Sequence, residues 1–223
     1  MKNNGKKNLI CGSVAIFSFC LWTWLIQTVD VRPSGVNGTE IGFAKINLWF
    51  NSVTGVNMTL YSLTDWLGLV PVFVCFAFGL IGLIQLIKRK SLLKVDSDII
   101  LLGIYYVTVI AGYLIFETIP INYRPVLING LMEASYPSST TLLVLSVMPT
   151  LSFQAKRRIP SKKCRKIVET FAVLFSLFMV VGRIISGVHW LTDIVGSCLL
   201  SAGLFFIYKA VVLLWNSAKN FSN

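Results

Sequence analysis

Several apolar runs of about twenty residues constrain this chain more than any other feature of its sequence. A helix of that length spans the roughly 30 Å of hydrocarbon in a bilayer. The chain of 223 residues is 55% hydrophobic and 13% charged, whereas charged residues make up about a quarter of a soluble domain. These features predict one integral membrane domain, residues 1–223, of the all-α class.

Six membrane spans are predicted, arranged as a six-transmembrane-helix bundle. They are residues 9–27, 66–87, 99–119, 139–155, 167–186 and 190–215. The fourth is only just long enough, and the first has no A-x-A cleavage site after it and is expected to be a retained anchor. The first outer loop, 28–65, is expected to form one or two short helices at the membrane surface, with a break at Gly55. Such helices could cap a site or guide a lipid, or simply pack against the ends of the bundle.

Lysine and arginine are distributed unequally between the two predicted sides of the membrane. Of the 20 in the chain, all but Arg32, Lys45, Arg124 and Arg183 fall on the side of the N-terminus. The positive-inside rule therefore predicts that both termini are cytoplasmic. This topology also accounts for the net charge of +11, so no nucleic-acid partner is expected. The five cysteines show no CxxC spacing, and no metal site is expected from them.

The stretch GRIISGVHWLTDIVG, residues 182–196, contains the single histidine of the chain. Arg183 lies six residues before His189, and Asp193 lies four residues after it. Residues four apart share a face of a helix, so Asp193 can accept the imidazole N–H and fix the tautomer. Such a pair supports nucleophilic or general-base chemistry. The alternative is an interhelical hydrogen bond, although an ionisable residue inside a span is a functional candidate by default.

The loop before the fourth span adds polar groups on the same side. It contains Arg124 and ends in YPSSTT, where Ser138, Ser139 and Thr140 begin the span. Free backbone N–H groups and the positive end of the dipole make a helix start an anion site, while an ordinary serine N-cap is the alternative. Two arginines, a helix N-terminus and a histidine–aspartate pair on one membrane face suit a phosphate group.

These residues, in this order, resemble the type-2 phosphatidic-acid phosphatase family of membrane lipid phosphatases. The family's third motif is Ser-Arg, five residues, His, three residues, Asp, and here it reads GRIISGVHWLTD with a glycine for the serine. The second motif, Pro-Ser-Gly-His, reads PSST, so Thr140 stands in place of a histidine. The first motif, Lys, six residues, Arg-Pro, reads ETIPINYRP, so Glu117 stands in place of the lysine.

The resemblance implies a role for each matching residue. His189 would attack phosphorus and form a phosphohistidine, with Asp193 as its orienting partner. Arg124 and Arg183 would clamp the phosphate, and no metal or other cofactor is implied. The residues that would assist them at the start of the fourth span are Ser138, Ser139 and Thr140.

The two departures from the motifs concern positions 117 and 140. The chain has no second histidine, so the usual general acid is absent. Glu117 would bring negative charge near the anion site, unless it points away or pairs with Arg124. Lys45 and Arg32 are the candidates to replace the missing lysine.

A site without its general acid is expected to favour a good leaving group. A phosphate monoester, with a second pKa of about 6, leaves more easily than a lipid alkoxide. The sequence therefore predicts a phosphatase for a lipid phosphate or diphosphate, with a polyprenyl diphosphate such as undecaprenyl diphosphate favoured, on the outer face of a bacterial cell membrane. The alternatives are a lipid phosphotransferase that uses the same histidine and a non-catalytic lipid-phosphate binding protein.

Overall fold

The structure is a computed structural model that describes residues 2–219. It contains the following α-helices: α1 (Lys2–Ile26), α2 (Ala44–Thr54), α3 (Met58–Leu67), α4 (Leu69–Arg89), α5 (Ser97–Thr118), α6 (Ser139–Arg158), α7 (Lys162–Ile185) and α8 (Leu191–Lys219). Residues 2–219 form no β-strand, only isolated bridges in the loops. The predicted all-α class is therefore confirmed, while Met1 and residues 220–223 of the predicted domain lie outside the described residues.

Five helical segments are long and apolar enough to cross a bilayer, namely α1, α3 together with α4, α5, α7 and α8. The predicted fourth span falls on α6, which has hydroxyl side chains along its length and three basic residues in its last turn. Because α6 packs among α4, α5, α7 and α8, much of its surface meets protein rather than lipid. Its 20 residues extend about 30 Å. The count of six spans stays a prediction.

The outside of the bundle is strongly apolar. In α4, Phe73 is 68% exposed and Phe76 is 63% exposed, and in α5 Val107 is 66% exposed. Rows of exposed large apolar side chains on several long helices are typical of a surface that faces lipid. These helices indicate an integral membrane protein.

The contacts between helix ends define two ends of the bundle. At the basic end, Arg89 at the end of α4 pairs with Asp96 just before α5, and Arg158 at the end of α6 pairs with Asp98 in the first turn of α5. At the His189 end, Trp22 near the end of α1 donates through Nε1 to the carbonyl of Thr192 at the start of α8, 3.1 Å away. Successive long helices therefore run in alternating directions.

The predicted outer loop contains two short helices, α2 and α3, which Gly55 separates as expected, with φ +62°. Asn57 caps α3 by accepting a hydrogen bond from the backbone N–H of Leu60 at 2.9 Å. Thr64 of α3 packs against Gly182 of α7 so closely that a Cβ at Gly182 would lie 2.7 Å from the Thr64 methyl group. These helices pack against the end of the bundle, and their position at a membrane surface stays a prediction.

Candidate active site

His189 lies in the short connection between α7 and α8, at the His189 end of the bundle. The backbone N–H of Asn57 donates to the carbonyl of Ser186 at 3.0 Å and so ties this connection to the start of α3. Gly187 has φ +65°, and a Cβ there would lie 1.8 Å from the carbonyl oxygen of Gly55. Glycine adopts positive φ without strain and allows this close approach. The α2–α3 turn therefore fixes the segment that carries the histidine.

The two ring nitrogens of His189 have different surroundings. Nδ1 lies 3.2 Å from the carbonyl oxygen of Ser135, 3.3 Å from its hydroxyl and 3.7 Å from Oδ2 of Asp193. Nε2 is buried and has no hydrogen-bond partner among the described residues. Because a carbonyl oxygen only accepts, Nδ1 carries the hydrogen and Nε2 carries the lone pair. The ring thus presents the unprotonated nitrogen that a nucleophile requires.

Asp193 is fully buried and accepts hydrogen bonds from several donors. Oδ2 accepts from the hydroxyl of Ser135 and from the backbone N–H of Trp190 at 2.9 Å, and Oδ1 accepts from Nδ2 of Asn122 at 3.4 Å. The sequence predicts that His189 and Asp193 share a helical face, and this placement is wrong. α8 begins two residues after His189, and Asp193 caps its first turn. The pair is close because the capping carboxylate turns back towards the loop.

Burial also sets the protonation state of His189. Loss of hydration lowers the pKa of the imidazole from its ordinary value of 6.5 to about 4, and the charges of Arg124 and Arg183 act in the same direction. The carboxylate of Asp193 opposes this shift by stabilising the cationic ring. His189 is therefore neutral at pH 7 and becomes easier to charge when an anion neutralises the arginines.

Arg183 projects from the last turn of α7 and is 1% exposed. Its Nη2 donates to Oδ1 of Asp65 at 2.9 Å and to the hydroxyl of Thr140, and its Nη1 donates to the carbonyl of Tyr61 at 3.4 Å. Its Nε is buried without a hydrogen-bond partner among residues 2–219. The guanidinium is thus held from one side, which leaves Nε–H and the second N–H of Nη1 for a further acceptor.

Arg124 lies in the loop between α5 and α6 and is also buried, at 8% exposed. Its Nε lies 3.1 Å from Oε2 of Glu133, as an ion pair but at an angle that makes no hydrogen bond. Within the part of the chain that the structure describes, Nε and Nη1 both lack a hydrogen-bond partner. The guanidinium carbons of Arg124 and Arg183 lie 5.6 Å and 4.8 Å from the centre of the Tyr61 ring. The aromatic ring therefore holds two like charges near each other.

Among the described residues, the buried side-chain nitrogens that lack a hydrogen-bond partner converge on this region. The buried side-chain nitrogens that lack a hydrogen-bond partner within the described residues are Arg124 Nε, Arg124 Nη1, Arg183 Nε and His189 Nε2. Buried polar groups are normally paired, and leaving one unpaired costs about 1–3 kcal/mol. A tetrahedral oxyanion between the arginines and the histidine would pair the donors and would face the lone pair of Nε2.

Of the second-motif residues, one stabilises the start of α6 and two border the candidate site. The hydroxyl of Ser138 is buried and donates to the hydroxyl of Thr141 at 3.1 Å, so it serves the start of α6. The hydroxyl of Thr140 accepts from Arg183, and Ser139 begins α6 and lines a small cavity that also borders His189. The first N–H groups of a helix have no intrahelical acceptor. The backbone at Ser139 and Thr140 is thus the part of this motif that remains available to an anion.

Glu117 occupies the lysine position of the first motif at the end of α5. It is exposed and borders the same small cavity as His189 and Ser139. The suggested pairing of Glu117 with Arg124 is not the one observed, because the acidic neighbour of that arginine is Glu133. Of the two basic candidates for the missing lysine, Arg32 pairs with Asp30, and Lys45 is exposed on α2, where its backbone N–H donates to the same carboxylate.

An apolar groove of about 480 Å³ leads away from the site between α4, α5 and α6. At the His189 end it is bordered by the polar residues Asp65, Ser139 and Thr140, and farther along by apolar side chains such as Leu69 and Val147. The sequence did not predict this groove, because it is formed by three helices that are distant in the chain.

The sequence also did not predict the residues that contact and position the predicted site residues. Tyr61 and Asp65 lie four residues apart on α3, a spacing that would have indicated a shared face on a short helix. Ser135, which bridges His189 and Asp193, lies in an irregular loop, where no periodic pattern identifies it.

Comparison with known proteins gives two matches and one negative result. The family model of the PAP2 superfamily matches residues 99–217, more than half of the chain. The fold is similar to the crystal structure of the first transmembrane PAP2 type phosphatidylglycerolphosphate phosphatase from Bacillus subtilis, with a TM-score of 0.66 and 17% identity over 91% of this chain and 96% of that chain. No curated protein sequence matches this chain.

Proposed function

This chain belongs to the PAP2 superfamily, and from that premise we propose that it is a membrane enzyme that hydrolyses a lipid phosphate or diphosphate. The family resemblance predicted from the three motifs is confirmed. The observation that carries the proposal is the convergence of unpaired nitrogens from Arg124, Arg183 and His189. A pure binding protein needs the arginines alone, whereas a buried, neutral histidine with a free Nε2 and a carboxylate at Nδ1 suits a nucleophile.

In the proposed reaction, Nε2 of His189 attacks phosphorus and the oxygen of the leaving group departs with the bonding electrons. The ring gains positive charge, which the carboxylate of Asp193 stabilises. Nδ1–H keeps its hydrogen bond to the carbonyl oxygen of Ser135. Arg124 and Arg183 stabilise the charge on the phosphoryl oxygens. Water then attacks phosphorus, the electrons of the P–N bond return to Nε2, and the protons of the water leave with the inorganic phosphate, which restores the neutral imidazole. Each step uses only groups of this chain and water.

The proposed substrate is a polyprenyl diphosphate. The family's general acid is replaced by Thr140, whose hydroxyl already accepts a hydrogen bond from Arg183 and is a poor proton donor. A diphosphate reduces the need for an acid, because its leaving group is a phosphate monoester rather than an alkoxide. The apolar groove of about 480 Å³ beside Thr140 is suitable for the first part of the lipid chain.

The proposed arrangement has six spans, with α6 as the fourth, and the site at the outer face. Its support is the grouping of basic residues at the end of the bundle opposite His189, which the positive-inside rule assigns to the cytoplasm.

The test is phosphate release by the purified protein from a polyprenyl diphosphate and from phosphatidic acid, with His189→Ala as the control. We expect faster release from the diphosphate and no release by the variant. Faster release from phosphatidic acid would overturn the substrate preference. If the variant retains activity, His189 is not the nucleophile.

The same experiment addresses the two alternatives. Addition of a lipid or sugar acceptor to the reaction distinguishes hydrolysis from transfer, because a transferase would place the phosphate on the acceptor. Lipid binding by a parent protein that never turns over would favour the binding protein.

A further inference from the structure

At the basic end of the bundle, the end of α6 and the start of α7 form a second polar hollow. It has a volume of about 420 Å³, and the residues that line it are Lys156, Lys162, Arg165, Lys166 and Glu169. Lys156 and Ser139 lie at opposite ends of α6, which places the hollow about 25 Å from the candidate active site. We propose that this hollow and the groove beside it bind an anionic phospholipid of the leaflet opposite the active site.

The charges around the hollow are largely uncompensated. Glu169 is the acidic residue of its lining and lies 3.6 Å from Nζ of Lys156 and 3.9 Å from Nε of Arg165. One carboxylate at these distances offsets only part of the charge of four cationic side chains. The hollow therefore attracts an anion.

The neighbouring basic residues behave differently, which makes the hollow distinct from a general basic surface. Arg89 pairs with Asp96 at 2.7 Å, and Arg157 and Arg158 donate to Asp98 at 3.2 Å and 2.9 Å. These arginines tie α4, α5 and α6 together. The cations between α6 and α7 have no comparable set of acidic partners among the described residues.

The start of α7 adds backbone donors to the same place. Ser161 caps the helix by accepting from the backbone N–H of Cys164, which leaves the first N–H groups of α7, at Lys162 and Lys163, directed out of the helix end. The positive end of a helix favours a phosphate oxygen. The hollow thus combines side-chain charge with a helix N-terminus, a combination suited to a phosphate headgroup.

An apolar groove begins where the hollow ends, and this continuity identifies the ligand as a lipid. The groove has a volume of about 530 Å³ between α6, α7 and α8, and Lys156 lines both spaces. Its apolar lining includes Leu145, Pro149, Phe153 and Leu177. From Lys156 to Leu145 the groove follows α6 for about 16 Å, close to the thickness of one leaflet of hydrocarbon. A headgroup in the hollow would place its acyl chain in this groove.

The test measures lipid binding to the full-length protein in detergent, by the thermal shift that each added lipid produces. Phosphatidylglycerol is the probe, and phosphatidylcholine and inorganic phosphate are the comparison ligands. The variant Lys162→Gln/Lys166→Gln removes two cations from the hollow, and Lys88→Gln/Lys94→Gln removes two exposed cations at the same end of the bundle but outside it. We expect the first variant to bind phosphatidylglycerol roughly thirtyfold more weakly than the second, from a loss of about fivefold for each of the two basic residues near a lipid surface.

A second variant tests the groove without changing the charge. Leu177→Trp should fill part of the groove and weaken the binding of phosphatidylglycerol, while leaving the response to inorganic phosphate unchanged. Equal affinities of the two lysine variants, equal responses to phosphatidylcholine and phosphatidylglycerol, or an affinity for inorganic phosphate equal to that for phosphatidylglycerol would each overturn the proposal. None of these measurements depends on phosphatase activity, so their outcome is independent of the proposed function.

Discussion

The replacement Asp193→Asn removes one negative charge beside His189 and keeps the shape of the side chain. In the proposed reaction the imidazole becomes cationic as Nε2 bonds to phosphorus, so the loss of this charge should raise the barrier to attack. Nδ1 and Oδ2 are 3.7 Å apart. At an effective dielectric constant of about 20, two unit charges at this distance interact by about 4.5 kcal/mol.

That energy corresponds to a fall in kcat of about a thousandfold, since 1.36 kcal/mol is a factor of ten. The tautomer should survive the substitution, because Nδ1 lies closer to the carbonyl of Ser135, at 3.2 Å, than to the carboxylate. The replacement therefore removes the charge and keeps the tautomer, but it also turns one acceptor oxygen into an NH2 donor, whose effect on folding the thermal midpoint measures. In a Ser-His-Asp triad, where the aspartate alone selects the tautomer, the same change costs about ten-thousandfold.

The assay is single-turnover phosphate release from a polyprenyl diphosphate at saturating enzyme, with the thermal midpoint as a measure of folding. Ser135→Ala is the matched control, because it removes the hydroxyl that bridges His189 and Asp193 but keeps the carbonyl and the carboxylate. We expect a loss of roughly tenfold for this control, from one net hydrogen bond. A loss of less than tenfold for a folded Asp193→Asn protein would refute the development of positive charge on His189 and, with it, nucleophilic attack.

Three further predictions concern the acid position, the loop and the pH dependence. Thr140→His restores the family's acid and should raise hydrolysis of phosphatidic acid, relative to a polyprenyl diphosphate, by roughly a hundredfold; Thr140→Ser, which keeps the acceptor for Arg183, should leave the ratio unchanged. Gly187→Ala places a Cβ 1.8 Å from the carbonyl oxygen of Gly55 and should lower the thermal midpoint by several degrees; an unchanged midpoint would show that the loop is not fixed there. Because burial lowers the pKa of His189 to about 4, the unfolded chain binds a proton that the folded one does not between pH 4 and 6.5. Stability should therefore fall as pH drops through this window and stay level above it, and His189→Gln should abolish that dependence, as measured by thermal midpoints. Equal pH dependence in the parent and the variant would contradict this assignment.

The family motifs point to the candidate site residues because these motifs are short and contiguous. His189, Asp193 and Arg183 lie within twelve residues, and hydropathy places this segment at a helix end. The sequence could not indicate that Asp193 caps α8 while His189 stays outside the helix, since both arrangements satisfy the same spacing of four residues. In the structure, the connection that carries His189 passes Gly55 and α8 begins only at Leu191.

The limits of hydropathy are clearest at α6. The mean hydropathy of a segment measures its transfer from water to lipid. By this measure α6 is a weak candidate for a membrane span, because it contains hydroxyl and basic residues. The tertiary structure surrounds α6 with four other helices, and a buried hydroxyl such as that of Thr150 finds a protein partner there, the hydroxyl of Tyr106 at 2.8 Å. The helix starts at the candidate active site and ends at the basic hollow.

The sequence by itself determined where this chain is apolar, on which side its basic residues gather and which three residues match the phosphatase motif. These are properties of single segments, set by transfer free energies and by covalent spacing. The tertiary structure decided which groups pair across the bundle: Asp65 with Arg183, Glu133 beside Arg124, and Ser135 with His189. Such pairs form between segments that are far apart in the sequence and that only packing brings together. A pattern within one segment therefore cannot predict its partner in another.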